Sequence, residues 1–341
     1  MITPTTLEST VAALLAPGKG ILAADESFPT IGKRFAAFAI PSTGENRRLY
    51  RQLLFTTPGL GDSISGVILF DETTRQRGAS GASMPEALAG HQMVPGIKVD
   101  TGTMALPAFA GEKITSGLDG LRERLGSYRE LGARFTKWRA VISVGEHLPT
   151  AAAISANAHR LALFAALSQE AGLVPIVEPE VLMDGSHSLT RCEEVMSETL
   201  QTVFATLIGQ RIGLETMLLK TGMVLPGSDC PQQAGVEEVA EATLRCLRRS
   251  VPAAVPGILF LSGGQKDVAA TERLNAICRV GGAPWRLSFS FGRALQDAAL
   301  KKWQGFPANV AAAQAALLHR AQCNAQAVLG KYSADEEMAV A

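Results

Sequence analysis

The chain has 341 residues, of which 47% are apolar, so it can bury a large core. Lysine plus arginine and aspartate plus glutamate are equal at 32 each, which gives a formal net charge of zero. This balance argues against a general binder of nucleic acid or of membrane surfaces, because such proteins carry excess positive charge. We therefore expect no nucleic-acid partner and no membrane partner.

The cysteines and histidines are scattered along the chain, five of each. No cysteines have CxxC spacing and no histidines form an HxH or HExxH pattern, so we expect neither a disulfide framework nor a metal site. The N-terminus lacks the basic start of a secretory signal, and no apolar run reaches the length of a membrane span. These features are typical of a reduced cytoplasmic protein.

Short apolar runs alternate with longer amphipathic segments along the chain. The predicted strands are 20–25, 64–70, 94–100, 134–144, 173–180, 214–220, 256–262 and 285–291. The predicted helices are 43–56, 83–91, 118–132, 150–171, 189–212, 235–250, 267–279 and a last stretch from about 307 to 329. This alternation predicts right-handed βαβ units and a parallel sheet.

Eight such units predict an α/β fold, a single (β/α)₈ TIM barrel over residues 1–341. We expect an N-terminal helix before the barrel, a C-terminal helical extension after it, and a flexible tail from about residue 331. An open doubly wound sheet is the main alternative. That fold is expected to have a glycine-rich turn after the first strand, and the run Ile21–Glu26 offers none.

Lys220 ends an apolar run that begins at Leu214. A buried amine is disfavoured in its charged form, so burial lowers its pKa and makes it a nucleophile at neutral pH. The simpler interpretation is a lysine at a strand end that extends its amine to solvent. Other strand ends favour the functional interpretation.

Charged and hydroxyl residues also end the other predicted strands. In order they are Asp25; Asp71 and Glu72; Lys98 and Asp100; Lys137 and Arg139; Glu178 and Glu180; Lys220; Ser262; and Ser290 with Arg293. Residues i and i+2 of a strand share a face, and a barrel has no edge strand whose charges would meet solvent. Since active sites of such barrels lie at the carboxyl ends of the strands, we expect one site here.

Five of these charged residues suit carbon–carbon bond cleavage. Lys137 is a like-charged neighbour that would help to lower the pKa of Lys220. Glu178 and Glu180 can shuttle protons, and Asp25 can take a proton from a hydroxyl group across the pocket. Imine formation with hydroxyl deprotonation is what cleavage of a β-hydroxyketone requires.

Two glycine-containing turns follow predicted strands seven and eight, at Leu261–Gln265 and Ser290–Arg293. Barrels commonly bind phosphate with the loops after these two strands. A second group of cations, Lys33, Arg34 and Lys98, comes from other parts of the rim. Two cationic patches around a central lysine suit a substrate phosphorylated at both ends. Either patch alone could be an ordinary turn or a solvated basic pair.

Several segments closely resemble class I fructose-1,6-bisphosphate aldolases, in order from about residue 5 to Tyr332. They are Gly18–Ser27, Gly66–Phe70, Gly96–Asp100, Lys137–Arg139, Val174–Glu180, Leu218–Lys220, Phe260–Gln265 and Phe289–Gln296. The resemblance implies reversible cleavage of fructose 1,6-bisphosphate to dihydroxyacetone phosphate and glyceraldehyde 3-phosphate, in glycolysis and gluconeogenesis. It also implies no metal or other cofactor and a homo-oligomer, a tetramer in the family.

The resemblance also implies residue roles. It makes Lys220 the Schiff-base residue and Glu178 the principal proton donor and acceptor, with Asp25, Lys137 and Glu180 in support. The candidate substrate and phosphate contacts are Ser262, Gly263, Gly264, Ser290, Gly292, Arg293, Ser27, Arg34, Lys98 and Arg139.

Three segments depart from the family pattern. Phe28–Thr30 stands where Thr-Gly-Ser is common, and Thr221–Gly222 stands where Pro-Asn is usual. The tail ends at Ala341 without the terminal tyrosine of many members. A preference for fructose 1-phosphate or sedoheptulose 1,7-bisphosphate would use the same site. A catalytically silent scaffold is disfavoured, because such a protein would be expected to lose its Schiff-base lysine or its acidic partners.

Overall fold

The computed structural model describes residues 6–340, with side chains described as far as Glu337. Its strands are β1 Gly20–Ala24, β2 Ile64–Leu69, β3 Val94–Lys98, β4 Gly102–Ala105, β5 Lys113–Ser116, β6 Phe135–Ile142, β7 Val174–Val181, β8 Leu218–Thr221, β9 Gly257–Phe260 and β10 Arg286–Phe291. Eight of them form a closed barrel in the order β1-β10-β9-β8-β7-β6-β3-β2, with every neighbour parallel. The predicted (β/α)₈ barrel is confirmed.

Helices connect and cover the strands. The α-helices are α1 Leu7–Leu14, α2 Phe28–Ala36, α3 Gly44–Phe55, α4 Asp71–Arg75, α5 Met84–Gly90, α6 Leu121–Glu130, α7 Ala151–Glu170, α8 Leu189–Gly209, α9 Val236–Ser250, α10 Asp267–Val280, α11 Arg293–Trp303 and α12 Val310–Val328. Short 3₁₀ helices lie at Leu60–Asp62, Leu214–Thr216, Pro307–Asn309 and Ala334–Val340. Among residues 6–340, no helix is both long and apolar enough to cross a membrane.

The prediction of a strand over 214–220 is wrong in its first half. Leu214–Thr216 forms a 3₁₀ turn, and β8 begins only at Leu218. The Gln169 side chain satisfies this turn: its Nε2 donates to Gly213 O and Thr216 Oγ1, both at 2.8 Å. Backbone groups satisfied by a side chain have no need of a strand ladder. Lys220 therefore lies within a short strand that ends at Thr221.

Other elements were absent from the sequence prediction. The β4–β5 hairpin is antiparallel and lies outside the barrel, between β3 and β6. Helices α2, α4 and α11 begin two to four residues after the ends of β1, β2 and β10. Two of them, α2 and α11, therefore start among residues predicted to bind substrate.

The lower half of the barrel interior is apolar. Residues such as Ile21, Ile176 and Leu259 point inward and pack with Leu14 and Leu15 of the α1 segment, which closes the N-terminal end. Phe135 fills the centre so tightly that a Cβ on Gly96 would lie 2.3 Å from its ring. Only glycine fits that position. The interior is therefore a packed core rather than a channel, and the charged residues lie above it.

The C-terminal segment packs on one side of the barrel. Helix α12 packs against α10 and α11, and the Ala334–Val340 turn contacts α12. Glu337 of that turn forms an ion pair with Arg320. The expectation of a flexible tail stays a prediction, and Ala341 lies outside the described residues.

Candidate active site

Four charged side chains form a continuous buried cluster at the carboxyl end of the barrel. Lys220 Nζ lies 2.9 Å from Glu178 Oε1. Lys137 Nζ lies 3.2 Å from Glu178 Oε2 and 2.7 Å from Asp25 Oδ2. Glu178 thus lies between the two lysines, and Lys137 links the two carboxylates. Four residues that are far apart in the sequence thus bring two carboxyl groups and two amino groups together.

Strand register explains why these four side chains meet. Lys137 pairs with Ile176 across β6 and β7, and Lys220 pairs with Leu259 across β8 and β9. Paired residues of parallel strands share a face, and both apolar partners belong to the barrel interior. Each lysine therefore projects inward, and all eight strands run in the same direction. The cluster follows from this alignment.

The electrostatics of the cluster fix its protonation in the absence of substrate. Burial disfavours the charged form of Asp25, but Lys137 and Lys220 outweigh it and lower the pKa of Asp25 to about 2. Burial likewise opposes ionisation of Glu178, yet the charges of Lys137, Lys220 and Arg139 lower its pKa. Both residues are carboxylates at neutral pH.

Lys137 is held as an ammonium. Burial disfavours its charged form, but Asp25 and Glu178 outweigh burial and raise the pKa of Lys137 above its usual value. The two carboxylates therefore keep a permanent positive charge in the middle of the site. The expectation that Lys137 lowers the pKa of Lys220 stays a prediction.

Arg139, Glu180 and Lys98 lie beside the cluster. Arg139 Nε forms an ion pair with Glu180. Asp100, which is buried, lies 2.7 Å from Lys98 Nζ and accepts a hydrogen bond from the Arg139 backbone at 3.3 Å. Asp100 thus fixes the amine of Lys98 and the backbone of β6 at Arg139 with one carboxylate.

The two glycine-containing turns meet at the other side of the mouth. A Cβ on Gly264 would lie 3.4 Å from Arg293 Nη2, so the turns after β9 and β10 are neighbours. Gly263 and Gly264 have φ of +53° and +92°, values that favour glycine. Gly292 precedes α11, whose first residue is Arg293. The predicted turn is thus a helix N-terminus, whose free N–H groups attract anions.

Arg293 lies at the surface, whereas the two candidate serines, Ser262 and Ser290, do not. Arg293 is exposed, and no carboxylate of the described chain lies within ion-pair distance of it. Ser262 and Ser290 are buried. Ser290 pairs with Ile21 and so shares its inward face, and its Oγ has no hydrogen-bond partner among the described residues. These groups are available to a ligand.

Arg34 and Ser27 are engaged on the β1 side. Arg34 forms ion pairs with Glu26 and, at 2.8 Å, with Asp297. Ser27 precedes α2, and its Oγ lies 3.1 Å from Thr30 Oγ1. A substrate phosphate would therefore compete with these two carboxylates for the guanidinium of Arg34. The predicted phosphate contact of Arg34 stays a prediction.

Glu26 is the functional-site residue that the sequence analysis missed. Its carboxylate accepts hydrogen bonds from Arg34, from Arg51 at 2.6 Å and from Gln296 Nε2 at 2.9 Å. Its position next to Asp25 was the available signal. Adjacent residues at a strand end point to opposite faces, so an inward Asp25 predicts that Glu26 points outward, toward the surrounding helices. Glu26 thus joins α2, α3 and α11 behind the site.

The Phe28–Thr30 departure has a simple structural account. These residues form the first turn of α2, where Pro29 has no N–H to lose from the helix ladder. The Phe28 ring packs edge-on against Phe70, with ring centroids 5.2 Å apart. The substitution therefore starts a helix instead of distorting a loop.

Comparison with known proteins identifies relatives along almost the whole chain. The family model for class I fructose-bisphosphate aldolase matches residues 6–341. A protein of Xanthomonas axonopodis pv. citri named probable fructose-bisphosphate aldolase class 1 is 54% identical over 327 residues, which cover 96% of this chain and 98% of that protein. Fructose-bisphosphate aldolase 1 of Toxoplasma gondii is 52% identical, over 94% of this chain and 88% of that protein.

A solved structure agrees with these relatives. The fructose-bisphosphate aldolase of Plasmodium falciparum, in a complex with TRAP and a small-molecule inhibitor, superposes with a TM-score of 0.95 and 47% identity. The match covers 96% of this chain and 95% of that chain. The fold, the lysine–carboxylate cluster and these similarities agree, and the chain belongs to the class I fructose-bisphosphate aldolases, a family of aldehyde-lyases.

Proposed function

We propose that the chain cleaves fructose 1,6-bisphosphate reversibly to dihydroxyacetone phosphate and glyceraldehyde 3-phosphate, through a Schiff base on Lys220. The observation that carries this proposal is the contact of Lys220 with Glu178, 2.9 Å apart in the buried mouth of the barrel. An amine and a carboxylate at this distance can exchange a proton as a carbonyl group approaches. The family membership of the chain supports the same reaction.

The first step is generation of a neutral amine. Transfer of one proton from Lys220 to Glu178 removes a positive and a negative charge together. The Lys137–Asp25 pair, at 2.7 Å, is left intact. Because a buried site penalises isolated charge, this internal transfer costs less than release of the proton to solvent. The amine can then attack the C2 carbonyl of the substrate.

Glu178 acts again after this attack. One proton passes from the attacking nitrogen to the C2 oxygen and gives the neutral carbinolamine. The protonated Glu178 carboxyl group then donates its proton to that hydroxyl group, which leaves as water and yields the iminium ion. Lys137 remains an ammonium beside Glu178 and Asp25, and it stabilises oxyanion character as the carbinolamine forms and collapses. We assign Glu180 a supporting role through its ion pair with Arg139, which lies on the same strand face as Lys137.

Carbon–carbon cleavage needs a base for the C4 hydroxyl group. Asp25 is ionised at neutral pH and sits opposite Lys220 in the cluster, so it can accept that proton. The C3–C4 bonding electrons then flow into the iminium group, which becomes an enamine. Glyceraldehyde 3-phosphate leaves, and protonation at C3 with hydrolysis releases dihydroxyacetone phosphate and restores the amine of Lys220.

The two phosphate groups have separate candidate sites. One is the junction of Ser262–Gly264 with Gly292 and Arg293, where a helix N-terminus and an exposed guanidinium converge. The other lies across the mouth at Ser27, Arg34 and Lys98. We infer that Ser290 and Arg139 line the interior between them.

Replacement of Arg293 with alanine is expected to lower kcat/KM about tenfold to hundredfold. The lost charge-assisted hydrogen bond corresponds to about 1.5–3 kcal/mol. Each tenfold change in kcat/KM corresponds to about 1.4 kcal/mol. Thermal unfolding without ligand should be unchanged, because Arg293 has no ion pair among the described residues. Lower thermal stability with normal substrate affinity would instead assign Arg293 to the fold.

The purified chain is expected to cleave fructose 1,6-bisphosphate at the same rate with and without EDTA. Imine formation uses an amine and protons, so the chemistry needs no divalent cation. The assay follows triose phosphate release with a coupled dehydrogenase, after dialysis against the chelator. Loss of most activity in EDTA, restored by zinc, would contradict the Schiff-base mechanism.

The same assay compares three ketose phosphates. Cleavage of fructose 1-phosphate or sedoheptulose 1,7-bisphosphate with a higher kcat/KM than fructose 1,6-bisphosphate would assign the chain a different main substrate.

We further propose that residues 1–341 form one barrel domain, that the protein is cytoplasmic and acts in glycolysis and gluconeogenesis, and that it assembles as a homo-oligomer. A cytosolic aldolase of Arabidopsis thaliana is 50% identical to this chain.

A further inference from the structure

We propose that His319, Cys323 and Glu337 form a zinc site that joins the C-terminal turn to helix α12, contrary to the expectation from cysteine and histidine spacing that the chain has no metal site. Their ligand atoms all lie within 4.8 Å of one another. The site lies on α12 and the tail rather than on a barrel strand, and it is independent of the proposed function. No residue of this group belongs to the aldolase chemistry described above.

Two of the ligands come from one helix face. His319 and Cys323 are four residues apart on α12 and therefore lie one above the other. His319 Nε2 is 3.7 Å from Cys323 Sγ. Two ligands of a tetrahedral zinc ion with ordinary Zn–N and Zn–S bonds lie about 3.5 Å apart. The helix thus presents a nitrogen–sulfur pair at nearly the spacing that zinc requires.

The third ligand arrives from the tail. Glu337 Oε2 is 3.9 Å from His319 Nε2, and a carboxylate oxygen of Glu337 lies within 4.8 Å of Cys323 Sγ. Movement of the carboxylate toward both residues would complete a tetrahedral arrangement. Tyr332 donates a hydrogen bond to Glu337 Oε1 at 2.8 Å, and Arg320 pairs with the same carboxylate. Arg320 Nη1 donates to both carboxylate oxygens, so binding of the ion by Oε2 requires this contact to shift onto Oε1. Carboxylate ligands of metals are commonly hydrogen-bonded on their outer side in this way.

The donor set and its access favour zinc over harder cations. Imidazole nitrogen and thiolate sulfur select zinc, whereas magnesium and calcium prefer oxygen ligands. Cys323 is buried, but the side chains of His319 and Glu337 are 16% and 22% exposed, which leaves a path to solvent. Three protein ligands leave the fourth position to water.

Binding has a defined proton balance and a structural consequence. The Cys323 thiol loses its proton to solvent as the Zn–S bond forms. The thiolate and the Glu337 carboxylate then supply two negative charges against the ion and Arg320, which leaves one net positive charge on the group. Because two ligands lie on α12 and one on the tail, the ion would clamp the Ala334–Val340 turn onto the helix. Zinc would therefore control the order of the tail and not the bond-breaking steps.

The test uses the full chain, first stripped with EDTA and then titrated with Co²⁺ and Zn²⁺. We expect one ion per chain, with a sulfur-to-cobalt charge-transfer band and the intense visible bands of a tetrahedral site. Zinc should abolish both signals by displacement. Absence of the charge-transfer band at saturating cobalt would overturn the proposal.

Ligand variants separate this site from adventitious binding. Cys323→Ser, His319→Ala and Glu337→Gln should each weaken zinc binding by about 10–100-fold or more. Cys230→Ser removes a partly exposed thiol outside the site and should leave the zinc affinity unchanged. Equal affinity for zinc in Cys323→Ser and in the unaltered chain would also overturn the proposal.

Digestion with a carboxypeptidase reports the clamp itself. Zinc should slow removal of the residues that follow Tyr332 in the unaltered chain and in Cys230→Ser, and have no such effect in Cys323→Ser. Protection that persists in Cys323→Ser would show that zinc does not act through this site.

Discussion

Replacement of Lys220 with methionine is expected to lower kcat by at least about 10⁴-fold. Methionine matches the length and apolar stem of lysine but has no amine, so no imine can form. Lys137 cannot substitute for it, because it is held as an ammonium by Asp25 and Glu178. Steady-state assays with a coupled dehydrogenase measure this loss.

The control for Lys220→Met is Lys302→Met, which removes an exposed lysine of helix α11. This variant should keep normal turnover. Circular dichroism and thermal unfolding must show that Lys220→Met is folded, since it removes one partner of a buried ion pair. A folded Lys220→Met protein that keeps more than about a hundredth of normal kcat would contradict the assignment of Lys220 as nucleophile.

Glu178→Gln is expected to lower kcat by about 10²–10⁴-fold with little change in KM. Glutamine keeps the size of the side chain but cannot accept the proton of Lys220 or donate one to the departing oxygen. Because a proton-transfer residue acts on the transition state, the loss should appear in kcat. A rise in KM alone would make Glu178 a binding or structural residue.

Glu112→Gln is the matched control for Glu178→Gln. Glu112 is also a buried carboxylate, but it accepts hydrogen bonds from Thr150 N at 2.8 Å and Thr150 Oγ1 at 2.6 Å, away from the cluster. Its replacement should lower thermal stability and leave kcat near normal. Comparison of the two variants separates the chemical role of a carboxylate from the effect of altering any buried one.

Most of the barrel could be predicted because its strands are short apolar runs with a helix after each. Every predicted strand overlaps an observed one, and the closure into a barrel is confirmed. The errors occur where a distant group satisfies the backbone. Gln169 holds Leu214–Thr216 in a turn, although the apolar pattern there favours a strand. Such a contact joins residues far apart in the chain, and periodicity cannot indicate it.

The elements near the mouth of the barrel were missed for a different reason, because they are short or lie close to a strand end. Helices α2 and α11 start four and two residues after strand ends, so the apolar pattern does not separate their first turns from a loop. The β4–β5 hairpin has only four residues in each strand, and β4 is mostly exposed, which weakens the apolar alternation that marks a strand.

The candidate site was predictable as a set of strand ends but not as a set of contacts. Alternation along strands indicates that Lys137 and Lys220 point inward, and the structure brings both to Glu178. No sequence pattern gives the pairing of Arg34 with Glu26, because this contact depends on the position of helix α2. The i, i+2 spacing of Lys98 and Asp100, in contrast, places those two side chains on one face. Strand alternation therefore predicts which side chains share the site, and the ion pairs among them follow only from the structure.

The central claim is that Lys220 forms a covalent imine with the ketose substrate, and borohydride trapping tests it most directly. The chain is mixed with fructose 1,6-bisphosphate or dihydroxyacetone phosphate, reduced with sodium borohydride, digested and analysed by mass spectrometry. We predict one modified peptide, which contains Lys220 and carries the mass of the reduced ketose phosphate adduct. Modification at Lys137 instead, or at no lysine, would contradict the account.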